Sequence, residues 1–180
     1  MGAEIFRSYV HLQMTDYKKA VWVPSPNFDQ GREGHTINSL VLHGTAGGGT
    51  VPWFSLPQSY VSAHYVVDKD GTVTQMVLEA DTAWHAGEVP YNSPFYGQPN
   101  PNSWTIGIEF VRDINNAEPL PQVQVDAGAD LVRDIFARRG RLIVLTHDEI
   151  EPGRICPGPG FPVETFMNID ADTPVPPMEK

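Results

Sequence analysis

The chain has 180 residues and a mass of 19.9 kDa, which fits one domain of ordinary size. Its 22 acidic and 12 basic residues give a net charge of −10 at pH 7, a field that repels nucleic-acid phosphates and anionic lipid surfaces. Because 41% of the residues are hydrophobic, the chain can bury a core and is not globally disordered. We expect a folded monomer that binds neither nucleic acid nor membranes.

Cysteine content and the N-terminal sequence bear on the cellular compartment. The single cysteine, Cys156, cannot form an internal disulfide. No run approaches the ~18 apolar residues of a membrane span, and the first twenty residues lack the basic start and apolar block of a secretory signal. We therefore expect a protein made in the cytoplasm without a signal peptide.

In the first half of the chain, an extended N-terminal segment precedes two predicted β-regions. Residues 37–43 (INSLVLH) have an apolar centre and are followed by the glycine-rich GTAGGGT, which predicts a buried strand ending at His43. Residues 62–77 contain two β-rich runs joined by an Asp-Gly turn at 68–71. This pattern predicts a hairpin with His64 on its first strand.

The second half contains a long loop, a strand, a helix and another strand. Residues 88–103 are rich in Pro, Asn and Gly, as in loops that line clefts. The alternation in residues 104–111 predicts a strand with Glu109 on the face opposite Ile108. Helical spacing predicts a helix between Pro121 and Gly140. Residues 141–147 (RLIVLTH) predict a buried strand ending at His147.

Three potential metal ligands follow from this arrangement. Two predicted strands end in histidine, His43 and His147, and a Pro/Gly loop carries Cys156 nine positions later. Zinc prefers imidazole nitrogen and thiolate sulfur, and a catalytic zinc has three protein ligands and a water. The alternative is that both histidines end strands by chance and that Cys156 is a small packing residue.

Five motifs in one order carry a family resemblance: VLHGTAGG, SAHYVVDKDGTV, AWHAG, TIGIEF and THDEIEPGRICPGPGF. Over residues 22–166 the chain resembles the zinc-dependent N-acetylmuramoyl-L-alanine amidases, a family that includes phage endolysins, cytosolic recycling amidases and animal peptidoglycan recognition proteins. The resemblance implies an α/β fold in which helices flank a mixed central sheet in a single domain. We expect an N-terminal extension at 1–21, a catalytic domain at 22–170 and a flexible acidic tail at 171–180.

By this resemblance, His43, His147 and Cys156 match the zinc ligands of the family. Glu109 matches the acidic residue with which relatives activate water. A surface carboxylate on an edge strand is the alternative for Glu109, but its face of the strand is expected to point into the cleft.

The resemblance also implies substrate contacts. Thr45 and Trp84 are expected in the cleft. His85 is interpreted as a contact to the stem peptide, with a structural histidine as the alternative. His64 is a further candidate for the binding site. The alternatives are that His64 only forms hydrogen bonds within the core or that it supports the zinc site from nearby.

Two positions depart from the family pattern. Many phage relatives have a catalytic tyrosine where this chain has Ala63, so that route is closed here. Relatives have a lysine where this chain has Arg154. The guanidinium keeps a positive charge that can stabilise an oxyanion, but it does not deprotonate near neutral pH. Glu109 is therefore expected to make the proton transfers.

The expected reaction is zinc-dependent hydrolysis of the amide between N-acetylmuramic acid and L-alanine in peptidoglycan. A bacteriolytic endolysin that reaches the wall after phage-mediated release fits the absence of a leader. A cytosolic muropeptide-recycling amidase is the main alternative. A peptidoglycan-binding module without catalysis and an amidase acting on an unrelated amide are the others.

Overall fold

A mixed β-sheet forms the centre of the protein in the computed structural model, which describes residues 15–170. Within this range the strands are β1 (Val21–Trp22), β2 (Phe28–Asp29), β3 (Ser39–Gly44), β4 (Tyr65–Val67), β5 (Val73–Gln75), β6 (Thr82–Ala83), β7 (Thr105–Phe110) and β8 (Ile143–Thr146). The helices are α1 (Thr50–Phe54), α2 (Pro101–Trp104), α3 (Gln122–Arg139), α4 (His147–Ile150) and α5 (Val163–Met167), and a 3-10 turn spans Pro57–Ser59.

The strand order of the main sheet confirms the predicted α/β class with a mixed sheet. In the described part of the chain, the order is β1-β5-β4-β7-β3-β8, and β2 pairs with β6 in a separate small sheet. Strands β4, β7, β3 and β8 run parallel, whereas β5 is antiparallel to β4 in the predicted hairpin. Parallel strands bring their carboxyl ends to one edge of the sheet.

The strand register gathers the candidate residues at that edge. His43 on β3 lies opposite Glu109 on β7. Leu42 pairs with Thr146 on β8, so His147 follows at the same level as His43. The parallel topology thus brings together side chains that are far apart in the sequence.

The main core lies between one face of the sheet and helices α3 and α5. Alternate residues of β3 and β7 supply this face: Leu40, Leu42, Ile106, Ile108 and Phe110. They pack against the helical residues Leu131, Val132, Ile135, Phe136 and Phe166. Because side chains alternate along a strand, Thr105, Gly107, Glu109 and His43 project from the opposite face.

Several element ends differ from the sequence expectations by short distances. Helix α3 agrees with its predicted bounds and ends at Gly140, whose φ of 82° suits glycine. Strand β8 stops one residue before His147, because the Thr146 amide donates to Glu149 Oε2 and this contact begins α4. His64 precedes β4 rather than lying on it, and the end of the predicted long loop forms α2.

Residues ahead of the predicted domain boundary already belong to the packed structure. Tyr17 is buried in the main core, and the Asp16 carboxylate accepts hydrogen bonds from the Gln75 side chain and the Glu79 amide. Packing therefore begins before residue 22. The remainder of the predicted extension, residues 1–14, and the predicted tail, residues 171–180, lie outside the described residues. No helix between residues 15 and 170 has the length and apolar character to cross a bilayer.

Candidate metal centre

Three side chains that can bind a metal converge at the carboxyl edge of the sheet. His43 from β3, His147 from the start of α4 and Cys156 from the following loop are all buried, and their ligand atoms lie within 4.8 Å of one another. The two Nδ1 atoms are 2.9 Å apart, and Cys156 Sγ is 3.7 Å from His43 Nδ1. These separations are close to those between ligands around one tetrahedral zinc.

The hydrogen bonds of the two rings leave both Nδ1 atoms facing the centre. His147 Nε2 lies 3.2 Å from the Ala86 carbonyl, which can only accept, so Nε2 carries the proton. His43 Nε2 lies 3.1 Å from His85 Nδ1 on the side away from the centre. When neither Nδ1 atom carries a proton, the two lone pairs point at a common centre and can bind one cation there. The donor set of two nitrogens and one sulfur therefore fits a divalent ion such as zinc.

Burial sets the protonation of these groups. Burial, with the neighbouring histidines, lowers the pKa of His43 well below its ordinary value, and burial lowers the pKa of His147 to about 4. Both imidazoles are thus neutral at pH 7, the form that binds metals. Burial and the nearby Glu109 raise the pKa of the Cys156 thiol to about 12. A bound metal would favour the thiolate.

Glu109 adds a carboxylate next to this cluster. Its Oε1 is 4.0 Å from His43 Nδ1, and its Oε2 is buried without a hydrogen-bond partner. Burial raises the pKa of Glu109 to about 8, and the positive charge of Arg154 opposes this rise. A buried carboxyl group without a partner is costly for the fold, and such groups occur at reactive sites.

The cluster lies at the base of a cavity of about 460 Å³. Its lining combines polar groups with aromatic and apolar side chains at the rim: Thr45, Trp53, Phe54, Val61, Trp84, His85, Asn116, Arg154 and Ile155. Trp53 and Ile155 are exposed, so the rim offers apolar surface to a ligand. A cavity with a few convergent polar groups is the usual form of a small-molecule or substrate site.

Besides the metal ligands and Glu109, four predicted site residues line this cavity: Thr45, Trp84, His85 and Arg154. Thr45 Oγ1 donates to the Gly47 carbonyl and so shapes the loop after β3. Trp84 Nε1 donates to Asp29 Oδ2, which holds its ring at the rim. Arg154 forms an exposed ion pair with Glu151 at 3.1 Å and is one of the residues that line the cavity.

The other two histidines of the prediction lie deeper. His85 lines the cavity but is largely buried, and its ring contacts His43 on one side and Thr105 Oγ1, at 3.2 Å, on the other. His64 is fully buried and does not line the cavity. Its Nδ1 accepts from the Gly107 amide, and the Asp81 carbonyl lies 3.1 Å from its Nε2. This position agrees with the core alternative for His64 and leaves no surface for a substrate.

Asn116 and Arg112 were missed by the sequence reasoning. The Asn116 side-chain amide donates to the carbonyls of Gly44 and Ile155, which joins the end of β3, beside His43, to the loop that carries Cys156. The buried Arg112 donates to the carbonyls of Pro157 and Pro159 and so shapes the loop after Cys156. Asn116 has a φ of 52°, a left-handed conformation that asparagine adopts more readily than most residues. The Asn115-Asn116 pair was therefore the local sequence feature that could have indicated a turn here.

Solved structures share this fold. A selenomethionine derivative of AmpD superposes with a TM-score of 0.70 at 26% identity, over 82% of this chain and 92% of that one. The endolysin amidase LysCS from Clostridium intestinale superposes with a TM-score of 0.65 at 21% identity, over 82% and 92% of the respective chains, which shows the fold alone. The protein is thus an α/β domain of the amidase fold with a candidate metal centre at the carboxyl edge of its sheet.

Sequence comparisons show the family. Residues 33–159 match the Amidase_2 family, described as N-acetylmuramoyl-L-alanine amidase. Amidase A from Achromobacter lyticus is 34% identical over 128 residues, covering 69% of this chain and 66% of that protein. The 1,6-anhydro-N-acetylmuramyl-L-alanine amidase AmpD from Haemophilus influenzae is 30% identical over 170 residues, covering 81% and 89%. The chain belongs to the N-acetylmuramoyl-L-alanine amidase family and is an amidase.

Proposed function

We propose that the protein hydrolyses the amide between the lactyl group of N-acetylmuramic acid and L-alanine in peptidoglycan, with zinc held by His43, His147 and Cys156. One observation carries this proposal: three buried ligand atoms converge beside a carboxylate oxygen that has no hydrogen-bond partner. The family membership supports the choice of bond.

Amide hydrolysis needs an attacking water, stabilisation of the carbonyl oxygen as it becomes negative, and a proton for the departing amine. A bound zinc lowers the pKa of its water to about 7 and polarises a carbonyl. A cation bound beside Glu109 would favour its carboxylate form, and the unpartnered Oε2 would then take the proton of the attacking water. Glu109 then returns this proton to the amine nitrogen as the C–N bond breaks.

Arg154 and the cleft rim contribute charge and binding surface. The Arg154 guanidinium lies at the cavity and adds positive charge where the carbonyl oxygen becomes negative. Because it does not give up a proton near neutral pH, it stabilises charge without replacing Glu109. Thr45 and Trp84 at the cavity wall are proposed to contact the substrate.

We infer further that the enzyme is bacteriolytic and acts on the intact cell wall after release, as an endolysin does. The exposed Trp53, Val61 and Ile155 extend the cleft beyond the metal centre and offer surface for a polymeric substrate. A recycling amidase that acts on soluble muropeptides is the second candidate. The similarity to AmpD over 170 residues favours it.

Zinc analysis combined with digestion of purified sacculi tests the activity. We expect one zinc per chain, new free L-alanine amino termini by mass spectrometry, loss of cleavage with a chelator and recovery on adding zinc. Binding to sacculi without cleavage would indicate a recognition module instead. Products lacking L-alanine termini would indicate a different amide.

A parallel assay separates the two biological roles. The same enzyme is given intact sacculi and soluble 1,6-anhydro-muropeptides at matched bond concentration. The lytic role predicts comparable or faster cleavage of sacculi. Cleavage confined to the soluble muropeptides would assign the protein to recycling.

A further inference from the structure

The segment His85–Ala86 contacts both candidate histidine ligands on the side away from the metal centre. The His85 ring reaches Nε2 of His43, at 3.1 Å, and the Ala86 carbonyl reaches Nε2 of His147, at 3.2 Å. A backbone carbonyl can only accept, so the proton of neutral His147 must be on Nε2. A histidine nitrogen can donate or accept, so the position of the proton on His43 depends on which nitrogen of His85 carries its proton.

The proton on His85 is set by Thr105. The hydroxyl of Thr105 has one proton and lies 2.7 Å from the carbonyl of Pro101, which must receive it. Thr105 Oγ1 therefore accepts from His85 Nε2, at 3.2 Å. With its proton on Nε2, neutral His85 presents the lone pair of Nδ1 to His43. His43 then donates from Nε2 and keeps Nδ1 bare at the metal centre.

The surrounding structure holds the His85–Ala86 segment firmly. Asn102 Oδ1 accepts from both backbone amides, of His85 at 3.1 Å and of Ala86 at 2.8 Å. The His85 ring lies over Gly107 on β7, where an added Cβ would come within 2.4 Å of the ring. Glycine at this position leaves the space that the ring occupies.

We propose that His85–Ala86 is the positioning segment of the metal centre, which selects the metal-binding tautomer of both histidine ligands through the chain Pro101–Thr105–His85–His43 and the Ala86 carbonyl. The inference rests on the proposed zinc ligands. It assigns His85 the role of positioning His43, which the substrate contact predicted from the sequence did not include. Partners of this kind orient the ring and increase the basicity of a metal-binding histidine.

Two matched pairs of variants test the positioning segment. Thr105→Val removes the hydroxyl while keeping the side-chain shape, whereas Thr105→Ser keeps the hydroxyl. His85→Phe removes the acceptor while keeping a ring, whereas His85→Asn keeps an acceptor near the position of Nδ1. Zinc affinity is measured by competition with a chromophoric chelator, and circular dichroism checks that each variant is folded.

Loss of an outer partner typically weakens metal binding about 10- to 100-fold, which we expect for His85→Phe, with partial recovery in His85→Asn. Thr105→Val is one step further from the metal, so we expect a smaller loss of about three- to tenfold, with Thr105→Ser close to wild type. In metal-free protein, ¹⁵N NMR is expected to show the proton of His43 on Nε2. The same spectrum of Thr105→Val is expected to show a mixture of tautomers.

The outcomes separate this inference from the proposed function. Equal zinc affinity in Thr105→Val and Thr105→Ser, together with an unchanged His43 spectrum, would overturn the positioning role. Equal losses in His85→Asn and His85→Phe would also overturn it, because shape alone would then account for the effect. If wild type bound no zinc, or His43→Ala bound it equally well, the proposed metal centre itself would fail.

Discussion

Two buried glutamates, Glu109 and Glu79, have opposite environments. Glu79 is fully buried, yet Tyr65 and Arg138 donate to its Oε1, and Arg138 and Arg139 donate to its Oε2. Glu109 has one oxygen near the candidate ligand His43 and another without any partner. Burial raises the pKa of Glu109 to about 8, whereas the partners of Glu79 hold its pKa below the ordinary value.

The contrast separates a stabilising group from a reactive one. At Glu79 the two arginines lie in the last turn of α3, where cations also interact favourably with the helix dipole. A carboxylate with complete partners has little capacity to exchange protons and contributes to stability. At Glu109 the missing partner costs stability and leaves an oxygen that can take a proton. Variants of each glutamate test this division.

Replacement of Glu109 with glutamine is expected to have the largest effect on activity. Removal of a general base lowers turnover by on the order of 10²-fold or more. Zinc content and the free energy of unfolding are expected to stay close to wild-type values, since glutamine keeps the shape of the side chain and Glu109 is not a proposed metal ligand. Turnover on muropeptides, zinc analysis and urea denaturation measure the three quantities. Wild-type turnover would remove Glu109 from the mechanism.

Replacement of Glu79 with glutamine is expected to have the opposite result. Breaking a buried ion pair costs about 3 to 5 kcal/mol, and we expect the lower end because the arginine side chains are 31% exposed. Turnover per folded molecule is expected to be unchanged, because Glu79 does not line the cavity. Urea denaturation with activity measured on the folded fraction tests this. A loss of turnover with normal stability would contradict the division.

The pH dependence of stability gives a finer measure of Glu79. Burial alone would raise its pKa, but the hydrogen bonds from Arg138, Tyr65 and Arg139 together lower the pKa below 4.5. A carboxyl group with a lower pKa in the folded state stabilises the protein above its unfolded pKa, and this contribution is lost as the pH falls through the folded pKa. We expect the stability difference between wild type and Glu79→Gln to shrink below about pH 5. A constant difference from pH 7 to pH 3 would exclude this linkage.

Arg154 is expected to show the smallest effect. Its side chain is 49% exposed, so its charge is screened by solvent. We expect Arg154→Ala to lower kcat about tenfold, less than the 10²- to 10³-fold loss for a buried oxyanion donor, with Arg154→Lys closer to wild type. The free energy of unfolding is expected to change by less than about 0.5 kcal/mol. An unchanged kcat would show that this charge does not act on the reaction.

Within residues 15–170, local patterns predicted five of the six strands of the main sheet and its longest helix, whereas the short helices and the strands β1, β2 and β6 were not predicted. Proline before and glycine after an apolar periodic run marked α3 to within a residue at each end. The Asp-Gly turn marked the β4–β5 hairpin, and alternation placed Glu109 on the face opposite Ile108. The end of β8 was missed by one residue because Glu149 caps the start of α4, a side-chain contact that competes with continued strand pairing.

The roles of the histidines were less predictable. His64 and His85 were both predicted as candidates for the substrate site, but one hydrogen-bonds to the backbone of β7 and the other contacts a candidate ligand. Asn116 and Arg112 act on loops about 40 to 70 residues away in the sequence, at a distance where no periodic pattern gives a signal.

The amino-acid sequence was enough to predict five strands of the main sheet, the longest helix, the family and three candidate metal ligands, because each depends on local spacing or on an ordered set of motifs. The tertiary structure alone decided which carboxylate lacks a partner and which nitrogen of His43 faces the metal centre. Both depend on donors and acceptors that residues distant in the sequence bring into contact, and such pairing arises only when the parallel strands and their loops pack together.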